Sequence, residues 1–178
     1  MSAGIKWHLI STALKEARAI FFADADTLLL QNPFEESTVA AYIGAAAVSC
    51  STRLRFQWEG PGSNPLNGGQ LLTCSRAAVQ DVIAAQPASN DEAFEKRLDQ
   101  EVAYEALWKN GHTISPLPEQ RFGGNCWWPK GWSPQDEQAP PWCELVTFHA
   151  HCTGSLREKL ERLQLVMHET KFCKRTTP

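Results

Sequence analysis

Ala19-Ile20-Phe21-Phe22-Ala23-Asp24-Ala25-Asp26-Thr27 is the stretch on which the fold is decided. Its first half is short, apolar and rich in residues that suit a pleated backbone, as expected of a strand buried on both faces. Ahead of it, Ile5, Leu9, Ala13 and Ala17 recur every four residues, with Ile10 and Leu14 alongside and Lys15, Glu16 and Arg18 elsewhere. That spacing predicts an amphipathic helix of about three turns. A helix feeding a buried strand with almost no linker argues for α/β architecture. Asp24 and Asp26 then stand at the carboxyl end of the strand, where open α/β sheets bind ligands. At i and i+2 of an extended backbone their carboxylates point to one side. They repel unless a positive charge sits between them, and a hard divalent cation such as Mn²⁺ or Mg²⁺ is the usual solution. Two solvated acids in a turn are the plain alternative.

Outward from this point, Asn32-Pro33 breaks the chain and a short helix is predicted over Glu35 to Tyr42. Ala45 to Ser49 reads as a second buried strand. Ser51 to Leu66, with Pro61 and Pro65, reads as a loop. Asn67-Gly68-Gly69 opens a strand at Leu71 to Thr73, Arg76 to Ala85 reads as a helix, and Gln86 to Asn90 as a break. Glu92 to Lys109 is helical by propensity, with Gly111 placed for a left-handed cap. Arg121 to Trp142, rich in Gly, Pro and Trp, reads as irregular, and Arg121-Phe122-Gly123-Gly124-Asn125 as a flexible loop. Four of the seven tryptophans fall between Trp127 and Trp142; they either offer aromatic faces for a ligand to stack on or pin the segment to the core. Leu145 to His149 is a last strand and Leu156 to Val166 a closing helix. Residues 1–170 are expected to form a single domain, and Lys171 to Pro178 a frayed tail.

The 178 residues suffice for one domain with a core. An apolar fraction of 43% and a charged fraction of 21% are those of an ordinary globular protein. The net charge of −3 argues against a broad nucleic-acid surface. The apolar run Val39 to Val48 is far shorter than the roughly 20 residues of a spanning helix, and no signal peptide is legible at the N-terminus. Six cysteines without a CxxC pair exclude a zinc ribbon and leave disulfides and buried thiols equally open.

A rival chemistry fits the same residues. Ile20 to Leu29 matches the motif of haloacid-dehalogenase-like phosphatases, with Asp24 as nucleophile and Asp26 as acid/base. That family needs a later acidic pair on another strand end. Asp91-Glu92 and Asp136-Glu137 follow no apolar strand, which weighs against it.

The stretch Lys6 to Pro33 resembles the glycogenin-like and plant-cell-wall-type nucleotide-diphospho-sugar transferases of the GT-A fold, in which a Lys helix, a hydrophobic strand and an Asp-x-Asp follow one another. Asn67-Gly68-Gly69-Gln70-Leu71-Leu72 resembles the family's strand entry beside the donor sugar, and Asp99-Gln100 its helix-opening pair. Phe148-His149-Ala150-His151-Cys152-Thr153-Gly154, with Lys159 beyond, resembles its C-terminal His-containing turn. The resemblance implies a mixed sheet flanked by helices and a sugar transfer from a nucleoside-diphosphate sugar, expected to be UDP-linked, to a glycan or glycoprotein, with retention at the anomeric carbon. It implies metal ligation by Asp24, Asp26 and His149 or His151, and donor contacts from Lys6, Ala25, Asn67, Gly68, Gly69, Gly154 and Lys159. Asp99 and Gln100 would sit at the transferred sugar as catalytic residues. The two branches of the family imply the Golgi lumen and the cytosol respectively.

Two departures accompany it. The family carries a strand–helix–strand unit before the Lys helix, and this chain starts almost at that Lys, so the first βαβ unit is expected to be missing. A non-catalytic carbohydrate-binding fragment therefore stays open. The glycogenin-like pattern picks His151 as ligand and the cell-wall pattern His149; His149 is slightly favoured.

Overall fold

A computed structural model describes residues 5–37, 39–40, 53–58, 66–86, 99–118, 120–124, 142–151 and 153–173. Among these, helix α1 spans Ile5–Ala13 and strand β1 Ile20–Ala23. The helix ends a turn earlier than its apolar spacing suggests: Leu14, Lys15 and Glu16 lie in a turn, closed by N–H bonds from Lys15 to Thr12 O and from Glu16 and Ala17 to Ala13 O. Trp7, Ile10 and Leu14 bury the inner face of α1. The strand β2 (Thr27–Leu29) follows the two aspartates at once, then come β3 (Arg53–Trp58) and β4 (Leu66–Thr73). Helices α2 (Arg76–Ala85) and α3 (Asp99–Lys109), strands β5 (Thr113–Pro116), β6 (Phe122–Gly124) and β7 (Thr147–His149), and helix α4 (Leu156–Cys173) complete the described order.

The strands form two mixed sheets rather than one. The larger has the order β1-β4-β3-β5 and the smaller β2-β7-β6. Among the described residues β1 pairs with β4 alone, antiparallel, and it is half-buried rather than sandwiched on both faces. β3 is antiparallel to β4 and parallel to β5; β7 is antiparallel to β2 and parallel to β6. The chain crosses from the larger sheet to the smaller at Asp24-Ala25-Asp26.

β3 corrects the expected loop before Leu66. β6 corrects the irregular reading of Arg121 to Trp142, because Phe122, Gly123 and Gly124 are a buried strand and not a flexible loop. The closing helix runs on past Val166 to Cys173, so Lys171 is helical, and a Cys143–Cys173 disulfide fastens its end. The expected strand at Ala45 to Ser49, the start of the helix before Asp99, the acidic pairs Asp91-Glu92 and Asp136-Glu137, and Trp127, Trp128 and Trp132 lie outside the described residues. A helical turn begins at Ser37, within the expected short helix.

Three cores follow from this arrangement. One lies between the larger sheet and the helices, joining Trp7, Ile10 and Leu14 to Leu54, Leu71, Val79, Val82, Ala103 and Leu107. A second fills the seam between the sheets with Leu72, Phe122 and Val146, where the Phe21 and Phe122 rings lie 5.8 Å apart. The third packs α4 on the smaller sheet through Phe148, Ala150 and Val166, with Trp142 against its side. α2 starts where the sequence placed it because Ser75 caps it, its Oγ accepting from Ala78 N at 3.1 Å. Ser75 is buried, so Ser75→Ala leaves that N–H unsatisfied. A loss of about 1 kcal/mol is expected by urea unfolding, and an unchanged midpoint would count against the cap.

Candidate metal and donor site

Asp24 leaves β1 with its N–H on Gly69 O at 2.9 Å, which fixes it to the larger sheet. Asp26 is fixed to the smaller one, where its carbonyl accepts from Ala150 N at 3.0 Å and Thr27 pairs with His149. Between them the backbone is not extended but turned, with Thr27 N on Asp24 O at 3.0 Å. Ala25 is the exposed residue at the bend. The turn still brings the carboxylates together: ligand atoms of Asp24, Asp26 and His149 all lie within 4.8 Å of one another.

His149 is held from several sides. Its Nε2 lies 3.1 Å from Asp26 Oδ1, and its ring stacks on that of His151 with centroids 4.6 Å apart. The third side is Gly69, where a Cβ would fall 2.1 Å from His149 Cε1. The glycine is therefore required by the ring's close approach, not by a turn. Burial pushes the His149 pKa down to about 4, and the neighbouring His151 and Lys159 add to this against the opposing pull of Asp26. At neutral pH the imidazole is uncharged and offers a lone pair to a metal. Burial pushes the Asp26 carboxyl up, but the hydrogen bond from Lys159 and the charges of His149 and Lys159 outweigh it and hold the group below the usual carboxylate range. Two carboxylates and one neutral imidazole form a donor set that suits a divalent metal ion.

His151 lies behind His149 rather than in the triad, with its Nδ1 3.1 Å from His149 O. The strand ends at His149, yet the two rings still stack on one side of the chain, with the His149 ring the one beside the aspartates. Lys159 reaches Asp26 Oδ2 in a direct ion pair. Its position comes from the start of α4, where Ser155 Oγ caps the helix by accepting from Glu158 N at 3.2 Å and Glu158 Oε2 accepts from Gly154 N at 2.9 Å. Gly154 is thus engaged at the helix start. The Ser155–Glu158 spacing is the signal in the sequence that marks this helix start.

The remaining residues gather at the bulge of β4. Phe56 faces Leu71 while Gln57 faces Asn67, so Gly68, Gly69 and Gln70 are extra on the β4 side. Such bulges re-aim the chain beside active sites. Asn67 Oδ1 accepts from Gly69 N at 2.7 Å. Gly68 N donates to Gln100 Oε1 at 3.3 Å, and Gly68 O accepts from Lys6 Nζ at 3.4 Å. Lys6, Gln100 and the Asn67-Gly68-Gly69 run, far apart in sequence, thus meet next to the triad. Asp99 opens α3 one residue before Gln100.

The family model for nucleotide-diphospho-sugar transferases matches residues 4–163. The chain belongs to this family. In fold, the transferase is similar to a crystallised glycosyltransferase involved in the glycosylation of the major capsid of PBCV-1. The two share 15% identity with a TM-score of 0.57, over 93% of this chain and 78% of that one. No curated protein matches the transferase in sequence. The family match makes the protein a glycosyltransferase, which leaves the phosphatase reading without support. Among the described residues, no helix is long and apolar enough to cross a membrane.

Proposed function

We propose that this transferase moves a hexose or pentose from a UDP-sugar to a glycan or glycoprotein acceptor, using Mn²⁺ held by Asp24, Asp26 and His149. The observation that carries the reading is the convergence of those three ligand atoms within 4.8 Å, at the crossing between the sheets. A divalent ion held by these residues would supply positive charge to a departing diphosphate.

The chain's own residues supply the rest. Neutral His149 keeps its lone pair for ligation, and Gly69 leaves room for the ring. Lys159, paired with Asp26, keeps a second cation at the same spot, in reach of a diphosphate bound to the triad. Lys6, on the far side of Gly68, places another positive charge beside the β4 bulge. The glycine backbone there lets a sugar approach without a Cβ in the way, while Gln100 accepts from the Gly68 N–H; for Asp99, one residue before it, the family resemblance is what supports a role at the sugar hydroxyls. Retention of anomeric configuration rests on the family resemblance alone.

The Cys143–Cys173 disulfide, and the disulfide-bonded state of Cys74, support an oxidising compartment, for which we propose the Golgi lumen.

The deciding experiment is a thermal-shift titration with Mn²⁺, UDP and both together, on the wild type and on Asp24→Asn/Asp26→Asn. A ligand that binds only the folded state raises the midpoint by mass action, by about 2.7 kcal/mol of stability at a hundredfold excess over Kd. Joint stabilisation confined to the wild type is the expected result. Equal shifts in both proteins would remove the triad from the metal site.

A further inference from the structure

The structure assigns to Gln70, which lies outside the metal triad and the donor contacts, the role of a positioning residue that sets the spacing of the triad across the seam between the two sheets. The inference rests on the metal-site reading and deepens it.

The triad does not lie on one rigid element. Asp24 is hydrogen-bonded to β4 of the larger sheet. Asp26 and His149 are tied to each other within the smaller sheet, by the Ala150–Asp26 bond and the Thr27–His149 pairing. Any sliding of one sheet past the other changes the distance from the Asp24 carboxylate to its two partners, so the seam must be fixed in register as well as packed.

Packing alone fixes register poorly. The seam core of Leu72, Phe122 and Val146 is apolar, and apolar contact is non-directional. Gln70 adds direction. It is fully buried on β4, opposite Ala23 of β1, and both ends of its amide reach across. Nε2 donates to Gly123 O of β6 at 3.1 Å, and Oε1 accepts from the Thr147 hydroxyl of β7. One side chain thereby links the larger sheet to two strands of the smaller, a residue away from Gly69 on one side of the seam and two residues from His149 on the other. Thr147 is itself fully buried, so an amide shifted out of place would leave buried groups unpaired, which is costly enough to hold the register.

The chemistry needs this more than the fold does. Leucine or methionine at position 70 fills the same space and leaves the three cores intact, but removes the directional link. Groups that orient metal ligands without touching the metal typically change affinity by about 10- to 100-fold when lost.

The test compares the wild type, Gln70→Met, Thr147→Val and Thr147→Ser by Mn²⁺ titration calorimetry. In parallel, the His149 Cε1–H resonance is read by NMR in metal-free protein. Because that ring lies against Gly69, its resonance reports the seam without metal. Gln70→Met and Thr147→Val are expected to weaken Mn²⁺ binding about tenfold or more and to move the His149 resonance, whereas Thr147→Ser, which keeps the hydroxyl, retains both. Should Gln70→Met be too unstable to study, Thr147→Val against Thr147→Ser carries the comparison. Mn²⁺ affinity and His149 resonance both unchanged in the two disruptive variants would overturn the proposal, even if their melting temperatures fall. If the wild type itself binds no Mn²⁺, the metal reading fails, and the metal-free His149 resonance still decides the role of Gln70.

Discussion

Gly69→Ala is expected to abolish tight Mn²⁺ binding and to destabilise the protein. The added Cβ would lie 2.1 Å from His149 Cε1 and 2.7 Å from each ring nitrogen. Atoms do not approach so closely, so the ring or the strand must move. The ring has little freedom: it is 4% exposed, its far face is covered by His151, and its Nε2 is engaged with Asp26. The strand has little either, because Gly69 O accepts from Asp24 N and Gly69 N donates to Asn67 Oδ1. Every route of relief therefore disturbs a group at the triad. Overpacking of this kind costs about 1–3 kcal/mol, measurable by urea unfolding, and loss of one ligand's position should cut Mn²⁺ affinity at least about 10- to 100-fold. Gly68→Ala is the matched control. Its Cβ would meet Lys6 Nζ at 2.6 Å, the far end of a flexible side chain that can swing aside. That variant should keep Mn²⁺ binding. If Gly69→Ala binds Mn²⁺ as the wild type does, the packing of Gly69 on His149 is not what places the ring.

Parts of this site were legible because their signals are local. Ile20 to Asp26 carries its own pattern of apolar run followed by spaced acids. The helix Arg76–Ala85 carries the 3.6-residue spacing of Ala78, Val79 and Val82 behind a serine cap. Gly111, read as a left-handed cap, has φ +72°. Other parts were hidden by the same local cues. Arg53-Leu54-Arg55-Phe56-Gln57-Trp58 alternates as a strand should, but two downstream prolines drew it into a loop. Phe122-Gly123-Gly124 has no pattern to read, because two of its three residues lack side chains; it is a strand only because β7 pairs with it and Leu145 packs over Gly123. The mixed direction of the sheets was equally invisible, since β1 has the composition of a central parallel strand yet pairs antiparallel with β4. At the site, which of the His149 and His151 rings lies beside the two aspartates was not legible in the sequence. Contacts across the whole chain decide that, and two residues of sequence cannot.

Asp26→Asn is expected to reduce transferase activity by about 10³ while leaving the fold nearly intact, and the gap between those two effects is the informative quantity. Asparagine keeps the volume of the side chain, and the Ala150 N–H bond goes to the backbone carbonyl, so it survives. What disappears is the negative charge that faces His149 on one oxygen and Lys159 on the other. For stability this matters little: the Lys159 side chain is about one-third exposed and its partner 22% exposed, so water screens the pair. A loss within about 1 kcal/mol is expected. For the reaction it matters far more. The triad would retain one carboxylate beside a neutral imidazole, against the charge of a divalent ion, and the cations at Lys159 and Lys6 cannot replace that ion at the departing diphosphate. Charge stabilisation of this type is worth several kcal/mol in a transition state, and each 1.36 kcal/mol is about tenfold in rate, which gives the expected 10³. The measurement is kcat for donor-sugar transfer, paired with a thermal midpoint taken without metal. A large fall in kcat with a midpoint within a few degrees of wild type would place Asp26 at the reacting groups. A midpoint that collapses with the activity would make it a structural residue, with Lys159 as the partner it is needed to neutralise. Activity retained within tenfold at saturating Mn²⁺ would instead remove Asp26 from the ligand set and leave Asp24 and His149 to hold the ion alone.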